Sequence, residues 1–147
     1  MMDTILNMDQ LAAKFSQQIV SETVKEKKGK EKEGIANDLD NMVTKTLGVL
    51  QEQGVYAVML FLFSRTSDKA NSAHVIRSKL IAMLTELKDV RAFLDAAALN
   101  PKDDKEVLKF YSDKVMDDLD TLFLVRDLYE QTLIYARFGA KAALKEE

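Results

Sequence analysis

Gly54-Val-Tyr-Ala-Val-Met-Leu-Phe-Leu-Phe-Ser64 is the stretch that decides the fold. From Val55 to Phe63 it holds nine apolar residues in a row, about half of the roughly 18 to 20 that a membrane-crossing helix needs. It does not alternate as a half-buried strand would, and apolar character all round a helix means burial on every side in the middle of a bundle. Gly54 stands where a left-handed residue would end the preceding helix.

Working outward, the pattern stays helical. Upstream, Leu39, Met42, Val43, Thr46, Leu47 and Leu50 recur at steps of three and four behind a cap at Asn37 or Asp38. Before them, residues 25–34 hold five lysines, three glutamates and two glycines, with nothing to bury. That composition predicts a flexible charged connector over about 25–36. The first helix, capped by Asp9, carries Leu11, Phe15, Ile19 and Val24.

Downstream, Arg65 to Lys69 reads as a polar turn, and Asn71 or Ser72 opens a helix with Val75, Ile76, Leu80, Met83, Leu84 and Leu87. A short helix through Val90, Phe93, Leu94 and Leu99 ends at Asn100-Pro101, where proline excludes the helical region for its predecessor. From Asp103 to about Leu144 the run is one long helix or two with a bend near Asp113 to Asp118. One proline and five glycines leave few breakpoints in 147 residues, and no hairpin dipeptide appears. The expected architecture is all-α: one domain over residues 1–147, a compact bundle of six or seven helices around a central, fully buried helix at about 55–64.

Composition narrows the chemistry. The chain has no cysteine, which removes disulfides, thiolate zinc sites, iron–sulfur clusters and a cysteine nucleophile. Its start has an acid and no long apolar core, so no secretory signal is read and a cytoplasmic location is expected. The one histidine, His74, has no HExxH context, and a lone helical histidine reads as structural. No GxxxxGK[ST] or GxGxxG loop is present to cradle a nucleotide. Asp113, Asp117 and Asp120 fall at steps of four and three, with Asp118 between them, and as paired carboxylates they would suit magnesium. No partner cluster completes such a shell, so a solvated acidic face is the plainer reading. Phe123, Tyr129, Tyr135 and Phe138 recur among leucines as core residues, whereas Tyr111 reads as exposed.

Positive charge is the remaining signal in a chain of net charge −3. Residues 64–91 hold six Lys/Arg against three acids, and residues 101–147 hold eight against eleven. Arg65, Lys69, Arg77 and Lys79 are therefore candidate contacts to phosphate, although Arg77 and Lys79, two apart on a helix, diverge by about 200 degrees.

Two stretches resemble a known family. Leu47-Gly-Val-Leu-Gln-Glu-Gln-Gly-Val-Tyr-Ala-Val-Met-Leu-Phe-Leu-Phe-Ser-Arg65 resembles the helix, glycine turn, buried helix and Ser-Lys/Arg ending of the small helical subunit of the type III-B CRISPR effector, the fifth protein of the Cmr complex. Tyr129-Glu-Gln-Thr-Leu-Ile-Tyr-Ala-Arg-Phe-Gly-Ala-Lys-Ala-Ala143 is similar to that family's closing helix. The chain departs from the family pattern in having Leu47 for a proline, Tyr135-Ala136-Arg137 for a tryptophan-lysine-arginine, and Gly139 inside the helix.

The resemblance implies a non-catalytic subunit without cofactor or metal, stacked along an RNA-guided complex in antiviral defence. Its implied partners are the other Cmr subunits, copies of itself, and the guide and target RNA, with no membrane and a monomer in isolation. It places Arg65 on the Ser-Lys/Arg position and Arg137 and Lys141 on the basic closing helix, as sequence-blind contacts to RNA phosphate or to acidic partner surfaces. The alternatives are a magnesium-dependent helical phosphohydrolase using Asp113, Asp117 and Asp120, and a helical adaptor without an RNA role.

Overall fold

The computed structural model describes residues 7–65, 70–87 and 98–145, and among them no residue is in a strand. Six α-helices and one π-helical turn make up the described fold, as the all-helical reading requires. No helix among the described residues is long and apolar enough to cross a membrane.

The first helix, α1 (Met8–Val24), is capped by Asn7, whose side chain accepts the Gln10 N–H at 2.9 Å. Asp9, expected as the cap, lies two residues further on, within the first turn, and accepts the Tyr135 hydroxyl instead. The stripe of Leu11, Phe15 and Ile19 is buried as its spacing predicts.

Helix α2 (Gly29–Gln53) corrects the expected connector. It starts eight residues before Asn37, leaving only Lys25 to Lys28 between the first two helices. Lysine and glutamate are good helix formers, and Lys27 sits 3.7 Å from Glu31. Ala36 is also anchored, closing a small cluster with Val24 and Ala143 against Ile35 and Leu144. At its far end Gly54 takes φ +99°, and its N–H reaches the Leu50 carbonyl at 3.0 Å.

Helix α3 (Val55–Ser64) is the apolar segment. It lies against α2, α4 (Ala70–Leu84) and α5 (Asp104–Phe110), burying Val55, Val58, Met59 and Leu62. It is not buried all round: Leu60 remains 47% exposed, because these neighbours cover one side of a ten-residue helix. The expected short helix through Val90, Phe93 and Leu94 lies outside the described residues, as does the turn from Thr66 to Lys69.

The chain then enters α5 through Asp103, whose carboxylate accepts the Glu106 N–H at 3.1 Å. The π turn (Tyr111–Val115) follows, marked by the Met116 N–H reaching back to the Tyr111 carbonyl at 2.9 Å. Asp118 restarts the helix, accepting the Thr121 N–H at 3.0 Å and its hydroxyl at 2.9 Å. The long run is thus two helices with a break where the acids cluster.

Helix α6 (Leu119–Lys145) is 27 residues long, about 40 Å at 1.5 Å per residue, and it is the hub on which α1 and α2 pack. The buried side chains of Val125, Leu128, Tyr129, Leu133, Ala136 and Ala140 make its inner face. Tyr129 donates its hydroxyl hydrogen to the Leu80 carbonyl at 2.8 Å, so the 2.6 Å contact between the two tyrosine hydroxyls must have Tyr111 as donor. This relay ties the π turn, α6 and α4 together inside the core. Tyr111 is fully buried, not exposed as expected. Burial pushes the hydroxyl pKa of both tyrosines well up, so both stay neutral donors.

Candidate interaction surfaces

The basic side chains singled out by sequence have different fates. Arg77 lies on α4 with 8% of its surface exposed. Its Nε donates to the Pro101 carbonyl at 2.9 Å, its Nη2 lies 3.0 Å from His74 Nδ1, and its guanidinium stacks 4.1 Å from the Phe63 ring centroid. Arginine only donates, so Nδ1 must accept and the imidazole is the neutral, Nε2-protonated form. Burial, with the charges of Arg77 and Lys102, holds the His74 pKa below its usual value, consistent with that form. Arg77 therefore fastens α4 to the end of α3 and to the entry of α5. It belongs to the fold rather than to a phosphate-facing surface.

Lys79 reaches Glu22 at 2.5 Å and ties α4 to α1. Lys141 reaches Asp40 at 3.2 Å and ties α6 to α2. A second rung between these last two helices joins Gln51 to Glu130 at 3.1 Å. The rungs are eleven residues apart on each helix and run in opposite order, so α2 and α6 are antiparallel and in register. Arg137, four residues before Lys141 and seven after Glu130, falls on the same margin of α6 between the rungs. It is exposed and has no ion pair among the described residues. Arg65 follows α3 with its guanidinium 5.3 Å from the Phe61 ring centroid, and its buried Nε has no hydrogen-bond partner among the described residues. Lys69 lies outside the described residues. Of the five cations among the described residues, Arg137 is thus the one presented outward without an ion pair, with Arg65 half-buried beside an aromatic ring.

The acidic run does not form one helical face. Asp113 lies in the π turn, Asp117 between helices and Asp120 in the first turn of α6, so their spacing spans a break in the helical repeat. Asp113 accepts Lys109 Nζ at 2.7 Å, and this bond holds its pKa below the usual carboxylate range. Asp118 is occupied as a cap. Among the described residues no three His, Cys, Asp or Glu side chains group as metal ligands.

Two features were not visible in the pattern of residues. Met116, Leu119 and Phe123 are 45%, 65% and 55% exposed around the start of α6, and Phe138 is 65% exposed. Phe123 and Phe138 were expected in the core; the buried stripe of α6 passes through Val125, Leu128, Tyr129, Leu133 and Ala136 and leaves both outside it. The second feature is a groove of about 420 Å³ where the end of α1, the start of α2 and the end of α6 meet, floored by Val20, Val24, Gly139 and Ala143. The lysine-rich composition of residues 25–34 was its only advance sign.

No family model, no curated protein and no solved structure matches this chain.

Proposed function

We propose that this chain is a non-catalytic structural subunit of a type III-B RNA-guided silencing complex, acting through the surface that its helices present. The observation that carries the reading is the pair of stretches 47–65 and 129–143, which resemble the helix–glycine–helix and closing-helix segments of that complex's small subunit. They fall on the end of α2 with α3 and on the second half of α6, and α2 with α6 forms the most extensive packing of the bundle. A rigid antiparallel pair fixed by polar rungs suits a part that must hold its shape between neighbours. Arg137, exposed between those rungs, is the residue assigned to target-RNA phosphate, with Arg65 second. Sequence selectivity would come from base pairing between guide and target, the arginines adding sequence-blind contacts.

The test is reconstitution of a type III-B complex with this chain. Arg137→Ala is expected to weaken target-RNA capture, increasingly as salt rises, with the fold of the chain unchanged. Lys79→Ala and Lys141→Ala are expected to act on the stability of the chain rather than on capture. Failure of the chain to enter the complex would reject the reading; unchanged capture at every salt would reject Arg137 alone. The engagement of Lys79 and Lys141 by the chain's own acids favours a second reading, an adaptor that meets only proteins. In that case the chain would join an assembly whose RNA content makes no difference to its binding.

A further inference from the structure

Helix α6 carries a second apolar stripe. Of the five large apolar side chains most exposed among the described residues, Met116, Leu119, Phe123 and Phe138 lie on α6 or just ahead of it, and Leu60 lies elsewhere. The inner face already packs α1 and α2, so the outer stripe contributes little to the bundle itself. At about 100 degrees per residue, Asp120, Phe123, Asp127, Phe138 and Lys145 fall within an arc of about 60 degrees on that outer side. Arg137 stands at its edge.

Charge along this face is divided by position. Asp120 and Asp127 lie in the first half of α6, Arg137 and Lys145 in the second, all four exposed and none with an ion pair among the described residues. Beside the first half, where α1 begins, a groove of about 360 Å³ opens between half-buried Met8 and Leu124, with Asp127 and Gln131 also lining it. Phe138, 65% exposed, is a knob on the same outer side of the same helix. Knob and groove on one face permit a closed two-fold pairing, in which each copy gives and receives the same contact.

We propose that two copies of the chain associate through their outer α6 faces, antiparallel about a two-fold axis, with Phe138 of each at the Met8–Leu124 groove of the other. Leu124 with Phe138, Asp127 with Arg137 and Asp120 with Lys145 are each centred between residues 131 and 133, so one axis at that level serves all three contacts. A parallel pair would instead set Asp120 and Asp127 against the same acids of the other copy. A basic partner protein would match the first half of the face and leave Phe138 and its neighbouring cations uncovered; an RNA backbone would match the cations and not the apolar stripe. A helix face about 40 Å long and about 10 Å wide buries on the order of 1,000 Å² over both copies, the low end for a specific interface, so the dimer is a weak one. This association goes beyond the assembly reading and departs from the monomer that the resemblance implies. The two meet only at Arg137, for which a second copy and RNA phosphate would compete. Asp127 and Phe138 have no part in RNA capture, so either reading can fail alone.

The experiment is sedimentation velocity on the full chain over about 5 to 500 µM, a range in which a dissociation constant on the order of 10 to 100 µM takes it from monomer to dimer. Asp127→Arg should weaken the dimer about ten-fold by setting like charges together, and Arg137→Asp added to the same chain should restore it. Phe138→Ser should also weaken it about ten-fold, with the far-UV circular dichroism unchanged because the side chain is exposed. The chain has no cysteine, so the orientation can be read by cross-linking. Asp120→Cys mixed with Lys145→Cys is expected to give a covalent dimer with a short bismaleimide, and Asp120→Cys alone is not. A chain that stays monomeric throughout overturns the proposal. So does a dimer that neither Asp127→Arg nor Phe138→Ser weakens, since another surface would then hold it. A dimer in which Asp120→Cys cross-links to itself overturns the antiparallel arrangement on which the charge pairing depends. A chain that stays monomeric and binds a synthetic helix of leucines and lysines would give this face to a partner protein instead.

Discussion

Residues 25–36 and 113–120 are both densely charged, and they behave in opposite ways. The first holds two glycines and is helical from Gly29; the second has neither glycine nor proline and breaks the helix through a π turn. Composition ranks them the wrong way round. Lysine and glutamate lose little rotamer freedom in a helix, whereas aspartate competes for backbone N–H groups and favours caps. Asp118 does this, taking the Thr121 N–H and so starting α6. Long-range packing settles the rest. The π turn places Tyr111 where its hydroxyl meets Tyr129, while Ile35 and Ala36 hold the start of α2 to Val24 and Ala143.

The largest effect is expected at the relay inside the corner. Tyr129→Phe removes both the acceptor of the Tyr111 hydroxyl and the donor to the Leu80 carbonyl, and should cost about 2 kcal/mol in urea unfolding. Tyr111→Phe leaves Tyr129 bonded to Leu80 and should cost about half of that, near 1 kcal/mol. Equal losses would mean that the order of donors is wrong. Next in size is Asp118→Ala, which removes the cap of α6 and should cost about 1 kcal/mol.

Those residues also show how far the sequence could be read. The helical class, the Gly54 stop and a break near 113–118 follow from local rules, because glycine, proline and apolar spacing act within one or two turns. Tyr111 was misplaced because its partners are Tyr129 and Leu80, which no local period connects to it. Arg77 was read as a surface cation for the same reason: Phe63 and Pro101 reach it from other elements. Lys79 and Lys141 were counted as charges before their acids on α1 and α2 could be known. Arg137 kept its outward place because α6 is regular through it. Charge counted along a chain measures supply; only the folded arrangement says how much the protein uses on itself.

A smaller change tests the other stretch. Gly34 lies in the body of α2, and a Cβ added there meets nothing within 4 Å. Gly34→Ala should therefore stabilise the chain by about 0.5 to 1 kcal/mol through helix propensity. A connector without fixed structure would show no gain in the unfolding midpoint, and that result would remove the contrast between the two regions.

The smallest effect is expected on the outside of the corner, where Lys109 and Asp113 meet in solvent. Asp113 has its pKa held below the ordinary 3.8, first by the hydrogen bond from Lys109. A carboxyl depressed in the folded state contributes stability above its unfolded pKa, and loses it as pH falls through the folded value. Asp113→Asn should then lower the unfolding midpoint slightly at pH 7 and not at all once both forms of the wild-type carboxyl are protonated in strong acid. Salt should shrink the difference at pH 7, because the pair is exposed. A large loss that persists in acid would mean that Asp113 shapes the π turn itself. The acidic corner would then be held from its surface, and the buried tyrosines would no longer explain why this stretch breaks while the lysine-rich one stays helical.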